Sequence, residues 1–254
     1  MRSAATLLKP VTLAKAKMLT ASHLVVAGLT PMTTLDYPDH LACVVFTQGC
    51  PLRCGYCHNP QMLPNAPQDA SPNWQAIETF LTSRIGLLEA VVFSGGEPTS
   101  QAALLPAVIQ AHQLGFKVGL HTSGINPSRL EKLLPYLSWV GLDIKAEPAN
   151  YQAITGRPGV AAKAEQSLRL LQAAHIDYEV RTTLHPKDFD LATINSLLNW
   201  LASKQVGKVA LQLARGGQCL SPAYQNIPQP FLTSELTAII QQQAANFSQL
   251  LLRD

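Results

Sequence analysis

The chain has 254 residues, 47% of them hydrophobic and 14% charged, with a formal net charge of +3. That apolar content excludes a disordered chain, and a charge this small, from Lys and Arg that are scattered rather than clustered, gives no reason to expect nucleic acid as a partner. Five cysteines, an odd number with three in one loop, do not make a disulfide framework and point to a reduced, cytoplasmic protein. No apolar stretch approaches the ~20 residues of a membrane span, so no membrane partner is expected either.

Residues 1–27 carry Arg2, Lys9, Lys15 and Lys17, and no acid precedes Asp36. They are read as a flexible extension, with Met18 an alternative start, rather than as a targeting presequence. Beyond them, Val-, Phe- and Leu-rich runs of strand length alternate with helical stretches. Strands are predicted at 41–47, 88–94, 116–122, 138–144, 176–184 and 208–214, and helices at 73–84, 101–114, 127–136, 160–174 and 190–203. Thr99 and Ser100 suit the N-cap of the second helix and Gly115 its C-terminus. Strands alternating with helices are the pattern of an α/β fold built on a parallel sheet. Pro222, Pro228 and Pro230 then precede a short predicted helix at 233–245, so residues 221–254 are expected to strap across a 28–220 core.

The loop after the first strand reads Gly49-Cys50-Pro51-Leu52-Arg53-Cys54-Gly55-Tyr56-Cys57-His58-Asn59. Soft thiolates packed this tightly are ligands for an iron–sulfur cluster or zinc. A structural zinc takes four protein ligands, whereas three cysteines on a four-iron cluster leave one iron open. Arg53 is either the cation that favours the thiolates or a solvated loop charge. Cys43 lies in the apolar run Leu41 to Phe46 and is expected to pack in the core, while Cys219 is either a fourth ligand or, more plainly, a packed loop thiol.

Further polar motifs follow the next predicted strands. Ser94-Gly95-Gly96-Glu97-Pro98 follows the second, with glycines that let backbone approach a ligand and an acid suited either to an ammonium group or to a helix dipole. His121-Thr122-Ser123-Gly124 follows the third, and Leu142-Asp143-Ile144-Lys145 the fourth. Asp143 and Lys145 share a face of the sheet, where they meet either a polar ligand or each other. Glu179 and Arg181 share a face of the fifth strand, His185 stands at its exit, and Arg215 follows the sixth. In parallel βα folds chemistry collects at the C-terminal strand ends, and that is where each motif falls.

The Cys50-x-x-x-Cys54-x-x-Cys57 spacing with Tyr56 resembles the signature of the radical S-adenosylmethionine (SAM) superfamily. Gly28 to Pro38, Val44 to Cys50 and Cys57-His58-Asn59-Pro60 are similar to activating enzymes of glycyl-radical enzymes, most of all those of anaerobic ribonucleoside-triphosphate reductase. The resemblance spans Gly28 to Leu220 and implies a partial (βα)6 TIM-like barrel. It implies a [4Fe-4S] cluster on Cys50, Cys54 and Cys57, with SAM chelated to the open iron and cleaved reductively to a 5′-deoxyadenosyl radical. It implies SAM contacts from Gly95, Gly96 and Glu97 to the amino group, from Tyr56 to adenine, and from Asp143 and Lys145 to ribose and carboxylate. Thr122 and Ser123 stand in the matching strand-end motif, where His121 replaces an aspartate. Gly141 stands where one such activase has methionine. Arg215 lies near the position of a SAM-contacting histidine in some of these enzymes, and His58 is positioned to hydrogen-bond cluster sulfur. The implied partners are a glycyl-radical enzyme and, with no second cysteine set in the chain, an external flavodoxin or ferredoxin as reductant. The alternatives are a radical SAM enzyme acting on a small molecule or nucleobase, and a non-enzymatic iron–sulfur or zinc protein closed by Cys219 or His58.

Overall fold

The computed structural model of the protein describes residues 19–227 and 234–253. Eight strands form one sheet in sequence order: β1 (Val26–Thr33), β2 (Ala42–Thr47), β3 (Ala90–Gly95), β4 (Lys117–Thr122), β5 (Trp139–Asp143), β6 (Asp177–Leu184), β7 (Lys208–Leu213) and β8 (Gln249–Arg253). β1 is antiparallel to β2, every later pairing is parallel, and among the described residues no ladder joins β8 to β1. The helices are α1 (Trp74–Ser83), α2 (Leu104–Gln113), α3 (Pro127–Leu133), α4 (Tyr151–Thr155), α5 (Val160–Ala173), α6 (Leu191–Ser203) and α7 (Ser234–Gln243). All but the short α4 complete a βα unit with one of β2 to β7, which makes the partial (βα)6 barrel expected from the resemblance.

Strand alternation sorts the side chains into two layers. Cys43, Val45, Val91, Phe93, Val118, Leu120, Val140 and Leu142 face the helices, where Ile77, Leu81, Val108, Leu130, Leu168 and Leu197 meet them in one buried core. Each such side chain contributes roughly 1.5–3 kcal/mol by leaving water. Ala42, Val44, Ala90, Val92 and Trp139 face inward and, with Tyr37 folded in from the β1–β2 connection, plug the N-terminal end of the barrel. One step further along the strands the inward positions become Ser94, His121, Asp143, Glu179 and Arg181, so the barrel is apolar at one end and polar at the other.

Three sequence expectations change. The predicted extension does not reach residue 27. Residues 1–18 lie outside the described residues, but Ala21, Leu24 and Val26 are buried, and Val25 exchanges 2.8 Å hydrogen bonds in both directions with the Gln101 side chain. The predicted cap of the second helix is displaced, because Thr99 is held by Glu97 in a separate turn, Pro98–Ser100, and α2 begins at Leu104 with no side-chain cap. The tail is more than a strap: Leu220 and Ser221 donate 3.0 Å bonds to Cys57 O and Gly55 O across the cysteine loop, and α7 then returns the chain as β8 onto β7. Pro228 and Pro230 lie outside the described residues. Elsewhere caps follow local chemistry: Asn73 accepts from Ala76 N at 2.9 Å, and Asp190 and Thr193 form a reciprocal box at 2.8 Å.

Candidate active site

The cysteine loop springs from the end of β2 through Gly49, at φ +93°. Gly49 N and Cys50 N close the loop on Met62 O and Leu63 O at 2.8 and 3.1 Å. Cys50, Cys54 and Cys57 then line one cavity of about 240 Å³, shared with Tyr56, Gly95, Gly96, Glu97, Thr122, Ser123, Asp143 and Lys145. The ends of β2, β3, β4 and β5 thus bring the separate motifs to one place, as a parallel barrel does. The two glycines have a different immediate reason from the one expected. A Cβ on Gly95, at φ +110°, would collide with Thr47 backbone, and one on Gly96 with the carbonyl of Gly49. The close approach they permit is first of all that of β3 to the cysteine loop.

Glu97 is 1% exposed and gathers five donors. Oε1 accepts from Thr99 N (3.1 Å), Thr99 Oγ1 (2.5 Å) and Thr122 Oγ1 (2.6 Å), and Oε2 from Ser123 N (2.7 Å) and Ser123 Oγ (2.5 Å). The Gly-Gly-Glu and strand-four motifs are therefore one hydrogen-bonded unit, which sequence reasoning missed because the two lie far apart in the chain. All five donors are neutral, so the carboxylate charge is solvated but not cancelled. Its field reaches Cys50, whose thiol is pushed up to about 12 by burial first and by Glu97 second.

Asp143 and Lys145 pair at 2.8 Å, so the mutual ion pair is present in a cavity that both also line. Burial is the largest single influence and works against the Lys145 ammonium, but the charge and hydrogen bond of Asp143 together with Tyr56 and Cys54 outweigh it and hold the pKa well above the usual value. Lys145 Nζ lies 5.9 Å over the Tyr56 ring, and its charge favours the thiolates of Cys50 and Cys54. Lys145 is thus the cation at the thiols. Arg53 is exposed and instead donates from Nη1 to Cys50 O and Leu52 O, both at 2.8 Å, bracing the loop from outside. Tyr56 is buried with its hydroxyl unpartnered, its ring 6.4 Å from that of Tyr224.

His121, which also lines the cavity, contacts Ser94 Oγ (3.2 Å), Asp36 O (2.8 Å) and Arg181 Nη1 (3.1 Å). Burial first and the Arg181 charge second lower its pKa to about 4, so it is neutral near pH 7. Arg181 stacks 5.0 Å over Trp139 and donates to Glu179 at 2.9 Å, away from the cavity. Arg253 of β8 adds a bidentate pair to Glu179 at 2.7 and 2.8 Å. His185 is buried and holds the tail, its Nε2 donating to Tyr224 O at 3.2 Å and its ring 4.6 Å from that of Tyr224. Arg215 is exposed and does not line the cavity. Cys43 is fully buried among helix-facing residues. Cys219 is buried beside the cysteine loop, its thiol donating to Tyr224 O at 3.5 Å. Among the described residues no three His, Cys, Asp or Glu side chains converge on a point one metal ion could hold. A zinc site needs such a point, whereas a four-iron cluster spreads its thiolates over separate irons.

The Radical SAM superfamily model matches residues 44–200, more than half of the chain and the span holding the cysteine loop and the strand-end motifs at Gly95, His121 and Asp143. The chain belongs to the radical SAM superfamily. A protein of Methanocaldococcus jannaschii, provisionally named a glycyl-radical enzyme activating enzyme, is 26% identical over 81% of this chain and 86% of its own length. The pyruvate formate-lyase-activating enzyme of Clostridium pasteurianum is 31% identical over 51% of this chain and 56% of its own. The PqqA peptide cyclase of Gluconobacter oxydans is 31% identical over 60% of this chain but 43% of its own. Streptococcus suis SuiB bound to S-adenosylmethionine superimposes with a TM-score of 0.61 at 16% identity, over 80% of this chain and 48% of SuiB, a likeness of fold. The superfamily uses a [4Fe-4S] cluster and SAM, and the residues present fit both. Three thiols line one cavity, a buried carboxylate with only neutral donors and a Lys–Asp pair there would suit a zwitterionic ligand, and the buried Tyr56 hydroxyl has no hydrogen-bond partner in the structure.

Proposed function

We propose that this radical SAM enzyme is an activating enzyme that installs a glycyl radical on a partner, and that the partner is anaerobic ribonucleoside-triphosphate reductase. The observation that carries the reading is the size and setting of the cavity. At about 240 Å³ its enclosed part is small, and it lies in a barrel whose β1 and β8 edges do not pair among the described residues. Cluster and SAM together would fill that enclosed part, so a further substrate would approach from the open side of the barrel. The reacting carbon must arrive from outside, as a glycine carried on a loop of another protein does. The named relatives support the class, and the likeness of Gly28 to Pro38 and Arg181 to Pro186 to reductase activases supports the partner. We place this activity in the cytoplasm, where a reduced cysteine loop and an oxygen-sensitive cluster are compatible.

In this reading Cys50, Cys54 and Cys57 hold the cluster, and Glu97 with the Gly95–Gly96 backbone orients the SAM ammonium. Lys145 meets the SAM carboxylate, Asp143 the ribose, and Tyr56 flanks the adenine. When bound, cluster and SAM supply a deoxyadenosyl radical that takes a hydrogen atom from the partner's glycine Cα. Burial raises the Cys50 and Cys54 thiols, so binding iron would release their protons, a loss that the Lys145 charge favours. A second reading, peptide modification, is supported by the PqqA cyclase relative and also calls for a substrate from outside.

The test is anaerobic reconstitution with iron and sulfide, then incubation with dithionite, SAM and the purified reductase. The expected result is 5′-deoxyadenosine together with a glycyl-radical EPR doublet on the reductase, both lost in Cys54→Ala. Deoxyadenosine without a radical on any glycyl-radical enzyme supplied would exclude the activase reading and leave the superfamily assignment standing.

A further inference from the structure

Reductive cleavage of SAM takes up one electron as its C5′–S bond breaks into methionine and the deoxyadenosyl radical, and the donor is oxidised by that electron. Among the described residues the cysteine loop is the one place where thiols gather, since Cys43 is sealed in the helix-facing core and Cys219 is a single thiol. No second cluster can relay the electron, so it must enter from a partner docked close to this loop.

The fold builds a basic hollow at that position. A concavity of about 450 Å³ is lined by Pro51, Leu52, Arg129, Arg157 and Lys163 among others, and it shares Arg129 with a smaller hollow of about 140 Å³ that carries Lys132. No aspartate or glutamate lines either one. Arg129, Lys132, Arg157 and Lys163 are exposed, and among the described residues none of them is in an ion pair. Leu52 lines both this hollow and the cavity that holds the cysteines, so the two adjoin at this residue. Arg53 joins them as well: its guanidinium caps Cys50 O, and its amide bonds Thr155 O at 2.9 Å, in the turn that carries Arg157.

We propose that this hollow is the docking surface for a small acidic electron-transfer protein of the flavodoxin class, with Arg129, Arg157 and Lys163 receiving its carboxylates. The proposal rests on the radical chemistry above. An uncompensated single-sign patch steers an oppositely charged partner and makes its affinity fall with salt. Small electron-transfer contacts work at modest interface area, which suits a surface of a few exposed cations.

The experiment uses the reconstituted holoenzyme and the double reversal Arg157→Glu/Lys163→Glu, with Arg157→Gln/Lys163→Gln as the milder form. Neither residue makes a side-chain hydrogen bond among those described, and thermal melts confirm folding. Flavodoxin binding is titrated at about 50 and 300 mM salt. Deoxyadenosine formation is measured with flavodoxin and separately with dithionite, which needs no docking. The expected result is flavodoxin affinity at least about tenfold weaker in the reversal, intermediate in the neutral form and salt-sensitive in the wild type, with dithionite-driven turnover unchanged. Unchanged flavodoxin affinity in the reversal, or no flavodoxin binding by the wild type, would each overturn the proposal. Equal loss of dithionite-driven turnover would place these residues in the site and also overturn it. A wild type inactive with dithionite would instead sink the radical chemistry, while the titration would still decide the docking.

Discussion

Two glutamates, Glu97 and Glu179, are both almost wholly buried in the barrel, 1% and 3% exposed, and they are treated in opposite ways. Glu179 is clamped by the guanidiniums of Arg181 and Arg253, so its charge is cancelled where it stands. Glu97 receives only backbone amides and the hydroxyls of Thr99, Thr122 and Ser123, so it stays a net negative charge at the wall of the cavity. A buried ion pair is a closed account that ties β8 to β6. A buried carboxylate solvated by neutral donors leaves a potential for a cation to answer, and the SAM ammonium is the cation this site proposes.

The contrast breaks most visibly at Glu179. Glu179→Leu leaves two guanidiniums unpaired and is expected to cost about 3–5 kcal/mol in urea unfolding of the apoprotein. Glu97→Gln should divide the effects the other way. It is expected to cost about 1–3 kcal/mol, from mismatched donors, but to weaken SAM binding to the reconstituted protein at least about tenfold, by equilibrium dialysis. If Glu97→Gln bound SAM like the wild type, the open charge would have no ligand role.

His121 sharpens the comparison through pH. Its pKa is lowered from 6.5 to about 4 by burial and then by Arg181. Between those values the unfolded chain takes up a proton that the folded protein refuses. The stability at stake is therefore intact above 6.5 and lost as pH falls toward 4. The loss should be about 2–3 kcal/mol, and His121→Gln should flatten the decline in melts taken between about pH 7 and 4.5. Asp190→Ala, remote from both glutamates, is the smallest change. Loss of the α6 cap should lower the melting temperature slightly and leave SAM affinity untouched by the same dialysis.

Much of this was legible beforehand, for physical reasons that can be named. The inner and outer faces of β2 to β7 are both covered, so these strands read as continuous apolar runs, and the cysteine spacing is local chemistry that needs no fold to be seen. β1 and β8 were not legible. Gly28 and Pro31 interrupt the first, and the second is five residues that become a strand only because β7 offers an edge. The cap expected from Thr99 failed because a buried carboxylate competed for its hydroxyl.

Sequence alone thus determined the superfamily, the gathering of three cysteines in one loop, the parallel α/β order and the placing of each motif at a strand end, since these depend on residue type, short spacing and periodicity. Tertiary structure decided what depends on distant residues meeting. It joined Glu97 to Thr122 and Ser123, and it made Lys145 rather than Arg53 the cation at the thiols. It also gathered Arg129, Arg157 and Lys163, scattered along the chain, onto one flank of the cysteine loop. Charge adds up in space, and only the fold sets which charges are neighbours.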